Sequence, residues 1–151
     1  MTPALDHAFD LVVELAPSHE MGGGPAGTRR IIPIVGGTAS GPMLSGRILD
    51  VGADWQTVFA SGVADLDARY AVETAEGAVI EIVSRGIRDA SPEATARIAA
   101  GEQVPPAAFY TRTAIRLETG HPANEWVNRC LFLAAGGKSG STVRLSVYRV
   151  G

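Results

Sequence analysis

Cysteine is all but absent. With Cys130 alone in 151 residues no internal disulfide can form, which suits a reducing compartment. Histidine is as sparse, and His7, His19 and His121 fall in a terminus, a loop and a turn, so no Cys/His spacing resembles a zinc site and no metal is expected. Charge is scarce too. Charged residues make up 19% of the chain and the net charge is -3, which leaves no positive excess to neutralise a polyphosphate backbone or hold an anionic membrane surface. Nucleic-acid and membrane partners are therefore not expected. No apolar run approaches the roughly 20 residues of a membrane-spanning helix. The start, MTPALDHAFD, carries Asp6 and Asp10 where a signal peptide has a basic segment followed by an apolar one. A single soluble cytoplasmic domain over residues 1–151 is the expectation, long enough to bury a core without metal or disulfide support.

Motifs for the commoner chemistries are missing as well. Glycines 22–24 and 36–37 lack the Gly-Lys-Ser/Thr ending and the strand-loop-helix setting of a phosphate loop, and turns use glycine in the same way. No Gly-x-Ser-x-Gly elbow occurs, and Cys130 lies in an apolar run where a thiol is a small core residue. No cofactor is expected.

What the chain does contain is 18 glycines and 9 prolines, clustered between runs of Val, Ile, Leu and Thr. Many short strands with tight turns have this composition. Phe9, Leu11, Val13 and Leu15 share one face of a first strand, and a glycine- and proline-rich loop follows over residues 17–30. Strand-like runs recur at 30–35, 43–49, 55–60, 63–74 and 78–85, then at 108–119, 126–135 and 142–150. One helix interrupts them: Ser91 caps it, Pro92 takes its first position, Glu93 sits at its positive end, and Gly101 stops it before the proline break at 104–106. About nine strands with connections too short for parallel crossovers predict an all-β, antiparallel up-and-down barrel of lipocalin-like form with one short helix. Closure removes the exposed edges that such a sheet must otherwise protect.

Strand parity groups the polar side chains. Tyr110, Arg112, Arg116 and Glu118 share a face, as do Glu81 and Arg85, Asp54 and Gln56 (with Trp55 opposite), and Asp65, Asp67 and Arg69 (with Tyr70 opposite). Two readings are open. These faces form the solvated outside of the barrel, with opposite charges paired across strands, or some turn inward to line a cavity for a small ligand, where arginines meet carboxylate or enolate oxygens in fork geometry.

The ordered succession RRIIPIVGGTASGP (29–42), GADWQ (52–56), LDARY (66–70), RGIR (85–88) with its proline-started helix, YTRTAIRLETG (110–120) and WVNRCLF (126–132) resembles the family known as domain of unknown function 3237, or uncharacterised protein family 0311. The likeness runs from about Phe9 to Val150. It rests on Gly36, Gly37, Gly41, Pro42, Asp54, Trp55, Gln56, Tyr70, Arg85, Gly86, Tyr110, Arg112, Thr113, Glu118, Thr119, Gly120, Trp126 and Asn128; Leu117 stands where the family more often has an aromatic. The resemblance implies a small soluble β-barrel with a lipocalin-type cavity and is compatible with a homodimer. It brings no catalytic assignment.

The expected function is small-molecule binding with acid/base chemistry, of lyase, hydratase or isomerase type, on an oxygenated organic metabolite. Asp54 is the candidate general base, Arg112 or Arg116 the group that receives developing negative charge, and Tyr110 or Tyr70 a proton or hydrogen-bond donor. Trp55, Gln56, Glu81, Arg85, Trp126 and Asn128 complete the candidate binding set. A non-catalytic carrier for a hydrophobic metabolite and a purely structural protein are the alternatives. A carboxylate and an arginine converging on one small void would favour the enzyme, and an apolar pocket with few titratable groups the carrier.

Overall fold

The computed structural model describes residues 1–105 and 108–151. Its strands are β1 (Leu5–Leu15), β2 (His19–Gly24), β3 (Gly27–Ser40), β4 (Gly46–Ile48), β5 (Gly52–Val58), β6 (Ala64–Glu73), β7 (Val79–Ala90), β8 (Phe109–Glu118), β9 (Leu131–Ser139) and β10 (Thr142–Val150). Helix α1 (Pro92–Ala99) follows β7, and a 3-10 helix (Pro122–Arg129) precedes β9. No helix among the described residues is long and apolar enough to cross a membrane. Pro106, the last residue of the proline break read at 104–106, lies outside the described residues.

The pairings are antiparallel and close on themselves: β1 pairs β10, then β9, β8, β7, β6, β5 and β3 follow in order, and β3 returns to β1. Eight strand lines make a closed up-and-down barrel, as the strand pattern predicts. Two lines are broken in the middle. β2 continues β1 along one edge of β3, and β4 and β5 lie end to end between β3 and β6. The long β3 spans both breaks, and its Gly37 has a φ of +121° that a side chain rarely adopts, where an added Cβ would strike the Val12 carbonyl.

Three segments differ from the sequence reading. Residues 19–24 form a strand rather than a loop, because β3 starts at Gly27 and offers it a free edge. Only Gly46–Ile48 of the 43–49 run is paired. Residues 126–129 are helical rather than extended: the His121 ring accepts from the Ala123 amide at 3.2 Å and Pro122 opens the turn, so helix-start chemistry outweighs the aromatic and β-branched content that follows. Helix α1 forms as read, with Ser91 Oγ accepting from the Ala94 amide at 3.1 Å, and it packs Ala94 and Ile98 on Ala90, Val104 and Phe109.

Inside the barrel the two halves differ. Around the 3-10 helix, Phe9, Leu11, Val72, Ile80, Ile82, Ile115, Val127, Phe132 and Val147 are fully buried in one apolar cluster, with the Phe9 and Phe132 rings 6.3 Å apart. A bulge in β1 between His7 and Phe9 turns both Ala8 and Phe9 inward to fill it. Towards the other end, where α1 packs, the interior opens into a cavity.

Candidate active site

The cavity, of about 90 Å³, has room for a compact organic molecule rather than a single water. Val13, Leu15, Ile32, Ile34, Leu66, Ala68, Val143 and Leu145 form its apolar wall. Set into that wall are Asp54, Gln56, Tyr70, Ser84, Arg88, Thr111, Thr113 and Lys138. Each polar residue is placed by strand parity. β5 turns Asp54 and Gln56 inward and β7 turns Ser84 and Arg88, following Ile80 and Ile82, while β8 contributes Thr111 and Thr113.

Asp54 sits where the β5–β6 ladder is interrupted. Paired residues are Ala53 with Arg69, Asp54 with Ala68, Thr57 with Asp65 and Val58 with Ala64, and between them the Asp67 amide donates to Asp54 Oδ1 at 2.9 Å. Gln56 Nε2 approaches Oδ2 at 3.4 Å. Burial pushes the Asp54 carboxyl above its ordinary range; the Asp67 amide, Gln56 and the charge of Arg88 oppose the shift without cancelling it. The Tyr70 phenol is raised well beyond the ordinary value, first by burial and then by the Asp54 charge, so it keeps its proton. Arg88, only 8% exposed, is pulled down by burial and then by Arg30, and Lys138 by burial, Arg88 and Arg30.

Several buried polar atoms have no partner among the described residues. Gln56 Oε1, Thr111 Oγ1, Thr113 Oγ1 and Arg30 Nε are all shielded from solvent without a hydrogen bond. Such atoms cost stability unless something else satisfies them. Three of the four belong to residues that line the cavity, and Arg30 is the next inward position along β3 from Ile32.

Of the residues singled out in the sequence, Asp54, Gln56 and Tyr70 line the cavity. Trp55, 46% exposed, and Tyr110, 48% exposed, point outward. Arg112 stacks over the Tyr110 ring, 4.6 Å from its centroid, on the outer surface of β8, and Arg116 is exposed on the same face. Arg85 pairs with Asp67 at 3.1 Å and Glu81 approaches Arg69 at 3.8 Å, again outside. The inward reading of Tyr110, Arg112, Arg116, Glu81 and Arg85 is therefore corrected, because Thr111, Thr113, Ile115 and Leu117 occupy the interior face of β8 and Ile80, Ile82, Ser84 and Arg88 that of β7. Trp126 and Asn128 lie at the packed end, away from the cavity. Trp126 packs edge-on against Phe132, and Asn128 exchanges hydrogen bonds of 2.9 and 2.8 Å with the Thr119 backbone.

Arg88, Lys138, Arg30, Ser84, Thr111 and Thr113 are absent from the candidate site residues read from the sequence. Lys138 carried a signal, since it is the only lysine in the chain. Arg88 carried one too, because it continues the apolar face of Ile80 and Ile82 instead of the charged face of Glu81 and Arg85.

Comparison with known proteins agrees with this geometry of fold. The family described as protein of unknown function (DUF3237) matches residues 3–150. A UPF0311 protein of Bradyrhizobium diazoefficiens is 37% identical over 152 residues, 99% of each chain. The crystal structure of a β-barrel-like protein from Acinetobacter baumannii superposes with a TM-score of 0.87 at 37% identity, covering 100% of this chain and 98% of that one. A more distant structure, described as an enzyme from Penicillium herquei, has a TM-score of 0.77 at 18% identity over 100% of this chain and 96% of its own, a likeness of fold. The chain belongs to the DUF3237 family.

Proposed function

We propose that this member of the DUF3237 family is an enzyme that moves a proton on a compact oxygenated organic molecule held in the barrel, in an elimination, hydration or isomerisation. One observation supports it above the others: a desolvated carboxylate, Asp54, and a buried guanidinium, Arg88, line the same small apolar cavity. A carboxylate whose proton affinity is raised is a stronger base once ionised, and its value moves toward neutral pH where transfer is most efficient.

The roles follow from position. Asp54 takes a proton from carbon or hydroxyl, and the electron pair left behind is delocalised onto a substrate oxygen. Arg88 stabilises that developing charge in a water-poor setting where electrostatics are strong. Tyr70, which keeps its proton, offers a hydrogen bond, and Gln56, Thr111 and Thr113 orient the substrate through their unpartnered oxygens. The proton on Asp54 then returns to the leaving group or to another carbon, which restores the carboxylate. The protein from Penicillium herquei is described as an enzyme and shares the barrel, so the fold has carried catalysis elsewhere. A carrier would use the apolar wall equally well, but it has no need of a buried acid and base.

The experiment is hydrogen–deuterium exchange at carbon in heavy water, followed by proton NMR, on a panel of compact 1,3-dicarbonyl compounds and phenols. The protein is expected to accelerate exchange of at least one member, and Asp54→Asn to lose about 100-fold or more of that acceleration while keeping its fold. A panel member that binds in the cavity yet exchanges no faster than in buffer would overturn the enzyme in favour of the carrier.

A further inference from the structure

Six arginines outside the barrel meet a carboxylate, whereas Arg88 inside it meets none among the described residues. On the surface, Arg47 meets Glu73 at 2.7 Å, Arg149 meets Asp6 at 3.0 Å and Arg85 meets Asp67 at 3.1 Å. With 16 acidic residues against 13 basic ones, partners are not in short supply. Yet no carboxylate stands within 4.0 Å of Arg88 or Lys138 among the described residues, and the nearest acid to Arg30 is Glu20 at 3.9 Å, 56% exposed. Arg88 is the more telling of these cations, since a buried charge is ordinarily paired or replaced. Two cations, Arg88 and Lys138, thus line a cavity that holds one carboxylate, and Arg30, the next inward position along β3 from Ile32, has its Nε–H buried with no hydrogen-bond acceptor among the described residues.

We infer that the ligand of this cavity is an organic anion, a carboxylate, enolate or phenolate, whose charged oxygens lie against Arg88 with Arg30 and Lys138 flanking. The inference rests on the cavity being a ligand site, as the proposed function has it, and adds the class of molecule. The apolar wall of Ile32, Ile34, Leu66 and Val143 selects an organic body over an inorganic ion. An anion entering here supplies the missing charge and the missing acceptor in one step, while the same cations hold the negative charge that proton abstraction by Asp54 creates.

Matched pairs that differ only in charge test this: benzoate against benzamide and salicylate against salicylamide, with inorganic phosphate as a third probe, titrated calorimetrically into the full chain at neutral pH. The acid of a pair is expected to bind at least 10-fold more tightly than its amide, and phosphate not to compete. In Arg88→Met that ratio should fall severalfold with amide binding retained, and the thermal midpoint should rise or hold, because an unpaired buried cation has been replaced by an apolar side chain. A merely structural arginine would move the midpoint the other way. Lys138→Gln, at the half-buried rim, gives an independent variant and should weaken the acid severalfold without affecting the amide. Acid and amide of equal affinity in the unmodified protein would overturn the anion inference and leave the exchange experiment to judge the enzyme. An unchanged ratio in Arg88→Met, or phosphate competing as well as benzoate, would overturn it too. If neither member of either pair binds and no panel compound exchanges, both the inference and the enzyme fall.

Discussion

The two halves of the barrel interior are made by the same strands and obey opposite rules. Along β7, Ile80 and Ile82 bury apolar surface at the packed end, and two residues later Ser84 and then Arg88 bury polar groups at the other. Along β8 the same change runs from Leu117 and Ile115 to Thr113 and Thr111. The first half spends its residues on stability. The second leaves buried atoms unpartnered and charges unpaired, which folding alone disfavours and which persist where a ligand or a reaction uses them. A barrel suits this division, because the ladder holds the backbone of both halves whatever the side chains do.

The largest expected effect belongs to the packed half. Phe132→Ala removes a fully buried ring that touches Phe9 and Trp126, and should cost about 3–5 kcal/mol in urea unfolding. The contrast with Arg88→Met, which should not destabilise at all, is the sharpest form of the comparison. Equal losses at both positions would mean that the polar half is ordinary core.

A smaller effect, dependent on pH, should come from Asp54. Its folded value is raised above the ordinary 3.8 by burial, so the neutral carboxyl is the form that the fold prefers. The associated stability is fully present below that ordinary value and is lost as pH rises through the folded value. Asp54→Asn keeps an oxygen for the Asp67 amide and never ionises. Its melting curve should therefore coincide with that of the unmodified protein in acid and lie above it towards neutral pH, by less than the Phe132 substitution costs. Curves that stay parallel from acid to neutral would show that the Asp54 charge is well solvated.

Much of this was legible in the chain. Alternating runs and turn residues predict the closed antiparallel barrel, Ser91-Pro92-Glu93 predicts the helix, and the parity of GADWQ separates Asp54 and Gln56 from Trp55 correctly. Parity within a strand cannot say which of its two faces looks inward, however, and a face with arginines on it is ordinarily the wet one. That holds for Arg112 and Arg116. It fails for Arg88, the charge placed against the pattern. Lys138 was hidden for another reason: Gly136-Gly137 reads as the end of a strand, yet β9 continues through it. Glycine is needed there for close packing, since a Cβ on Gly136 would strike the Arg144 carbonyl and one on Gly137 the Phe109 ring.

The smallest effects should come from the outer face of β8, and they separate inside from outside as the other substitutions separate the two halves. Arg116→Ala removes an exposed side chain and should change stability by no more than about 0.5 kcal/mol. Arg112→Ala also loses the contact with the Tyr110 ring and a hydrogen bond of 2.8 Å to the Thr111 carbonyl, so about 1 kcal/mol is the expectation. Neither should alter proton exchange or the preference for acid over amide, because the wall of the barrel lies between these guanidinium groups and the cavity. Loss of exchange in Arg112→Ala with an unchanged melting temperature would break that division. The charge that matters would then act through the wall, by the strand carrying Thr111 and Thr113, and the chemistry would have to be assigned to β8 as a whole rather than to its inner face.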